Sequence, residues 1–207
     1  MIRMTKNQWP YWISIGMFIL LISGCLGPST PVRFYTLAPM ADRTLQNAVS
    51  AFPEGRGVGI GPIEIPELYN RPQIVTKTGK NQVDISEYHR WAGLLREEIA
   101  NVLTDNLSLL LQSDRIFPFP WDGLPEPDLK IFVKVTRFEG TLGEKAVLDA
   151  TWSMSRTHDR KDILVRKTFL EEPVADETYL SYVAAESRLL AAFSRELASE
   201  ILKHRLE

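Results

Sequence analysis

The tightest constraint on this chain is a junction at residue 25, because it separates a segment built for export from a segment able to fold. Residues 1–24 read MIRMTKNQWPYWISIGMFILLISG, and Cys25, the only cysteine among 207 residues, follows at once. Arg3 and Lys6 make a short positive stretch with no acidic side chain. Residues 11–22 are uncharged and mostly apolar, and the small residues Ser23 and Gly24 come next. A positive segment, an apolar run and a small-residue cleavage site form a secretory signal peptide. The apolar run falls short of the ~20 residues that a permanent membrane helix needs. The expected division is a signal peptide over 1–24, a tether over 25–33 and one domain over 34–207. Removing residues 1–24 from the 207 leaves 183, and loses Arg3 and Lys6. That leaves 22 basic against 26 acidic side chains, a net of −4.

Ile22-Ser23-Gly24-Cys25 resembles the lipobox of bacterial lipoproteins, with Ile22 in place of the commonest Leu. The resemblance implies a covalent lipid on the Cys25 thiol, cleavage before it and acylation of the new amine. Two or more acyl chains hold a protein on a membrane where one does not, since each buried CH₂ contributes about 0.8 kcal/mol. Leu26 stands where Asp would favour inner-membrane retention in enteric bacteria, which implies the periplasmic face of the outer membrane. The stretch Leu26-Gly27-Pro28-Ser29-Thr30-Pro31 has no hydrophobic period and reads as tether.

Beyond the tether, residues 34–37 read as a short strand and 41–56 as a long connection. Residues 57–65 (GVGIGPIEI) read as a strand with a bulge or edge at Pro62. Residues 72–78 and 82–86 flank Gly79-Lys80-Asn81 as a hairpin. Between 91 and 112, Leu95, Ile99, Val102, Leu103, Leu107 and Leu110 make one apolar stripe of a helix, with Arg96, Glu97, Asn101 and Asp105 off it. Residues 115–121 are a Pro-broken aromatic segment. Residues 128–138, 146–154 and 162–171 alternate as an antiparallel meander. From 177 to 205, Val183, Leu190, Phe193, Leu197 and Ile201 mark a second helix, with Asp176 as its N-cap and Lys203, His204 and Arg205 suited to its C-terminal dipole. The expected fold is a single α+β domain, a mostly antiparallel sheet with two long helices packed on one face.

Little in the chain points to catalysis. The run Gly55-Arg56-Gly57-Val58-Gly59-Ile60-Gly61-Pro62 superficially looks like a phosphate loop. Its glycines nevertheless sit inside a strand and no helix follows, so bulging or close backbone approach is the better reading. His89, His158 and His204 are far apart and form no HExxH pair, no serine lies in G-x-S-x-G, and a single cysteine excludes multi-cysteine metal clusters. No catalytic residue, metal site or cofactor is expected beyond the lipid on Cys25. A near-balanced charge speaks against nucleic acid as a partner. Phe117, Phe119 and Trp121 alternate with Pro118 and Pro120, and either display rings to a partner or lipid or close one end of the core.

Several segments together resemble the PqiC/YmbA family, the auxiliary lipoproteins of MCE-type transport systems. They are Phe34-Tyr35-Thr36-Leu37 after the lipobox, Val58-Gly59-Ile60-Gly61-Pro62 with Ile65-Pro66, and Leu68-Tyr69-Asn70-Arg71-Pro72-Gln73-Ile74-Val75. His89-Arg90-Trp91-Ala92, Val147-Leu148-Asp149-Ala150-Thr151-Trp152 and the Tyr179–Ile201 segment complete the match. Gly93-Leu94 departs from it, since many relatives carry an acidic or proline-containing segment there. The resemblance implies a non-catalytic component of an envelope-spanning lipid transport machine, seated on the outer membrane and docking an MCE-domain periplasmic protein. A homo-oligomeric ring matching a symmetric tube is compatible with that role. Partner-binding candidates are Arg71, Pro72, His89, Arg90 and Trp91, because one hairpin could bring the first pair beside the last three. The same residues could instead fix the junction of sheet and helix. The alternative functions are a periplasmic lipid carrier, which needs an enclosed apolar pocket, and a chaperone-like lipoprotein for outer-membrane assembly.

Overall fold

The alternating segments between 128 and 173 dictate the architecture. Strands β6 (Leu129–Gly140), β7 (Lys145–Arg156) and β8 (Asp162–Pro173) form the expected antiparallel meander. Leu129, Ile131 and Val133 on β6 and Ala146, Leu148, Ala150, Trp152 and Met154 on β7 are all buried on one face. Helices α1 (Leu95–Leu111) and α2 (Tyr179–Lys203) pack their apolar stripes against the sheet that contains these strands. Leu103 and Leu107 on α1, and Leu189, Leu197 and Ile201 on α2, are fully buried. Each such side chain contributes about 1.5–3 kcal/mol relative to exposure, so stripe against face is the main source of stability. Trp152 meets Phe193 edge to face, with centroids 6.4 Å apart. The structure is a computed structural model and describes residues 30–41, 52–158 and 162–204. The signal segment, Cys25, most of the tether, Arg205 and much of the 41–56 connection lie outside the described residues.

The remaining strands are β1 (Arg33–Tyr35), β2 (Val58–Glu64), β3 (Gln73–Gly79), β4 (Gln82–Trp91) and β5 (Ile116–Pro118). They complete two sheets, a five-stranded one in the order β5-β2-β6-β7-β8 and a three-stranded one in the order β1-β4-β3. The α+β class and the helices on one sheet face are as expected. The hairpin, however, does not join the meander but closes a small sheet with β1. Parallel pairs also appear, β2 with both β5 and β6, and β1 with β4. Parallel neighbours require long crossovers. The β3–β4–α1 segment supplies one between β2 and β5.

Pairing and capping contacts explain the shifted boundaries. Trp91 was expected to open α1 but ends β4, because β1 pairs there in register: Arg33 with His89, Phe34 with Arg90, Tyr35 with Trp91. Helix α1 therefore starts four residues later than expected. Helix α2 is capped by Thr178, whose hydroxyl accepts from the Ser181 N–H at 3.2 Å. Asp176 instead braces that cap, accepting from the Thr178 N–H at 2.9 Å and from its hydroxyl at 2.6 Å. At Pro62 the bulge reading holds: β2 lies inside its sheet, and its register on β6 shifts between Ile60 and Ile63.

Segment 36–41 laces the two helices through side-chain acceptors. Leu37 N–H donates to Glu98 at 2.8 Å, Ala38 N–H to the Ser187 hydroxyl at 3.1 Å and Met40 N–H to Asn106 at 2.7 Å. Asn106 in turn donates to Ser194 across the helix pair at 3.0 Å, so both halves of its buried amide are satisfied.

The glycine alternation in β2 has a steric cause. A Cβ at Gly57 would lie 3.3 Å from the Phe117 ring, one at Gly59 2.6 Å from the Trp121 ring, and one at Gly61 3.0 Å from Phe119. Alternate glycines thus expose bare backbone on which three alternating aromatics sit. Trp121 is fixed by its indole N–H donating to Phe117 O at 3.2 Å, by Phe119 edge to face at 5.3 Å, and by the Lys130 ammonium 5.2 Å over its ring.

Gly59→Ala forces the indole off the strand and costs about 1–3 kcal/mol, as overpacking does. Gly79→Ala, whose Cβ would meet nothing closer than 3.9 Å, stays within about 0.5 kcal/mol of the parent in the same urea denaturation series.

Candidate functional site

The small sheet gathers the five partner-binding candidates. Gln73 pairs with Arg90 across β3 and β4, and the Trp91 N–H donates to the Pro72 carbonyl at 2.7 Å. The Ala92 N–H donates to Tyr35 O at 2.8 Å, which ties β1 to the same corner. The hairpin therefore does bring Arg71 and Pro72 beside His89, Arg90 and Trp91. The five do not share one exposure: Trp91 is buried at 4 %, Pro72 is exposed, and Arg71, His89 and Arg90 are half-buried.

His89 is enclosed by aromatic rings. Its imidazole stacks on Tyr179, the first residue of α2, at 3.9 Å and 11°. The Tyr35 hydroxyl lies 2.7 Å from His89 Nδ1. Burial, followed by the nearby Arg33 charge, lowers the His89 pKa. The Tyr179 hydroxyl reaches Asp84 at 3.4 Å. His89 thus fastens the small sheet to α2, while Trp91 is buried in the core.

The opposite side of the small sheet is open. Phe34 is 66 % exposed, and Val32, Ile85 and Tyr88 each about 40 %. Val32, Ile85 and Tyr88 line a shallow cleft with Gln73, Glu87 and Arg90, and Phe34 pairs with Arg90 along its edge. Arg90 Nε donates to Glu87 O at 3.3 Å, which orients the guanidinium within this apolar patch. Sequence reading found Arg90 but missed Phe34 and Tyr88. The available signal was Phe34-Tyr35 itself: in a strand, adjacent aromatics point to opposite faces, so only one could be covered from that side.

Beneath the small sheet lies a buried polar junction. The Tyr69 hydroxyl donates a very short hydrogen bond to Glu139 of β6, and Arg137 Nε donates to the same carboxylate at 2.9 Å. Burial opposes the charge on Glu139. The Tyr69 hydrogen bond, Arg137 and the field of Lys77 outweigh it and hold the carboxyl below its usual range. The Tyr182 hydroxyl of α2 donates to Val75 O on β3 at 3.3 Å. One turn on, Glu186 is fully buried, and desolvation drives its pKa well above the usual value.

Other clefts are open as well. One between α1 and the β2–β5 rim is lined by Ile63, Arg96, Ala100 and Phe119. Among the described residues no group of three or more His, Cys, Asp or Glu side chains could hold a metal ion, and no helix is long and apolar enough to cross a membrane.

Comparison with known proteins gives a family-level result. A model of the ABC-type transport auxiliary lipoprotein component family matches residues 35–198. A crystal structure of an uncharacterized protein is 21% identical, covers 83% of this chain and 99% of its own, and superposes with a TM-score of 0.67. A crystal structure of a Xanthomonas campestris protein is 14% identical over 83% of this chain and 95% of its own, with a TM-score of 0.68. At these identities the two structures speak for the fold. No curated protein matches.

The buried Glu186 gives a signed pH dependence. Its folded-state pKa is raised, so its contribution is complete below the unfolded value of about 4.5 and is lost as pH rises towards the folded value. Glu186→Gln removes this loss. Its stability relative to the parent, measured by urea denaturation from pH 4 to pH 8, rises steadily with pH; a constant difference would contradict a buried neutral carboxyl.

Proposed function

Because the chain belongs to the ABC-type transport auxiliary lipoprotein component family, we propose that it is a non-catalytic docking subunit. It is anchored by acyl chains on Cys25 to the periplasmic face of the outer membrane, and there receives the distal end of an MCE-domain protein of a Pqi-like lipid transport system. The observation that carries this reading is the exposed patch of Phe34, Tyr88, Val32 and Ile85 around Arg90, raised on a small sheet whose rear is locked to α2. Aromatic and Arg side chains are the groups that dominate binding energy at protein interfaces. Contiguous apolar exposure of this kind marks interaction surfaces.

Each of the five candidates has a part in this proposal. Arg90 is the contact residue, Arg71 and Pro72 form the rim, and His89 and Trp91 position the surface from behind. The acyl anchor confines the search for the partner to a plane and raises the effective concentration of the contact. A carrier function would call for an enclosed apolar pocket. The clefts described above are open and partly charged, which favours docking over carriage.

Phe34→Ala, at an exposed position, and Arg90→Ala, at a half-buried one on the open side, weaken co-purification with the MCE-domain partner by about tenfold or more while leaving the thermal transition in place. Cys25→Ser releases the chain from salt-washed membranes. Unchanged co-purification in both surface variants sinks the interface, whereas a Cys25→Ser chain that stays with the membrane sinks the anchor.

A further inference from the structure

A second cleft, separate from the docking patch, lies between the tip of the β3–β4 hairpin and the β6–β7 turn. Its walls bring together Lys77 and Lys80 from the hairpin and Arg137 and Lys145 from the large sheet. Four cations thus meet in a chain whose mature part is net negative. The two carboxylates in the lining are unequal. Glu139 is buried and already accepts from Tyr69 and Arg137, while Glu144 is exposed at the rim. Lys145 pairs with Glu171 at 2.6 Å from one side. Among the described residues, neither Lys77 nor Lys80 lies within ion-pair distance of a carboxylate. Lys77 Nζ only reaches back to the Lys80 carbonyl at 3.3 Å, which holds its ammonium over the cleft.

Like charges gathered this way repel one another, and an anion placed between them relieves that repulsion. The cleft volume is about 320 Å³, roughly ten times the share of one liquid water. That admits a phosphate with a small alcohol attached. Thr78 and Thr141 add hydroxyl donors at the mouth, and Val147 gives an apolar floor. We propose that this cleft binds a phosphate group, held by Lys77, Lys80, Arg137 and Lys145, carried either on a lipid headgroup or as the free ion. The site is independent of the docking patch and does not rest on the proposed docking role.

The test uses the full chain in non-ionic detergent, titrated calorimetrically with inorganic phosphate and, separately, with glycerophosphoglycerol, a water-soluble headgroup diester. Saturable binding of at least one probe is expected. Tighter binding of the diester identifies the headgroup as source, and equal or tighter binding of inorganic phosphate identifies the free ion. Lys77→Glu combined with Lys80→Glu, at exposed and half-buried hairpin positions, weakens that binding by about tenfold or more. Lys167→Glu, on the outer face of β8 beside Asp149, leaves it unchanged. Circular dichroism confirms that each variant is folded. Absence of saturable binding by both probes, or an equal loss in Lys167→Glu, overturns the proposal.

Discussion

The small sheet stays where it is because buried polar groups reach it from the main body. Tyr69, just before β3, bonds Glu139 of β6, and Tyr182 of α2 bonds the β3 backbone at Val75. His89 of β4 stacks on Tyr179 at the start of α2. The three contacts join the hairpin and the segment leading into it to β6 once and to α2 twice, so the hairpin cannot slide without breaking several at once. Buried polar groups cost stability unless they are satisfied. Glu139 meets that condition with two donors, whereas buried Glu186 keeps one unpartnered oxygen, Oε2, and its raised pKa reduces the cost of burying its charge. Without this junction the three strands would be a marginal unit, since small sheets need packing to persist.

The same anchoring separates support from display. His89 and Trp91 face inward and hold; Phe34, Tyr88 and Arg90 lie on the open side of the same strands. A docking surface built this way is pre-organised, which lowers the ordering cost of binding. Along β2 and β5 the aromatics follow the opposite logic. Phe117 and Trp121 are largely consumed in covering the glycine-stripped face of β2, and only Phe119, 49 % exposed, remains partly free. Thus the aromatic segment chiefly closes the structure, while the less conspicuous pair Phe34-Tyr35 divides between display and support.

The sequence was legible where one period dominated. Both helical stripes and the meander follow from regular spacing, and the hairpin turn correctly put Pro72 next to Trp91. It was illegible where pairing partners are remote. Residues 89–91 extend β4 only because β1, more than fifty residues earlier, lies beside them, and no local pattern announces that. Strand β5 was hidden by the prolines in and after it: its three residues, Ile116 to Pro118, all pair with β2, and Pro118 closes the strand. The split into two sheets escaped notice for a related reason. Alternation tells which face of a strand is buried but not which other strand it meets. The buried Tyr69–Glu139 contact joins residues seventy apart, and Glu139 in sequence looks like any solvated acid.

The central claim is that the open face of the small sheet receives an MCE-domain protein while the chain is held on the membrane. Its most direct test places a photo-crosslinking amino acid at position 34 of the lipidated chain, irradiates intact envelopes and identifies the adduct by mass spectrometry. The account predicts one dominant adduct, to an MCE-domain protein, that is absent when the probe stands at position 167 on the outer face of β8. Adducts at position 34 confined to phospholipid or to an outer-membrane assembly factor, or an MCE adduct from position 167 alone, would contradict it.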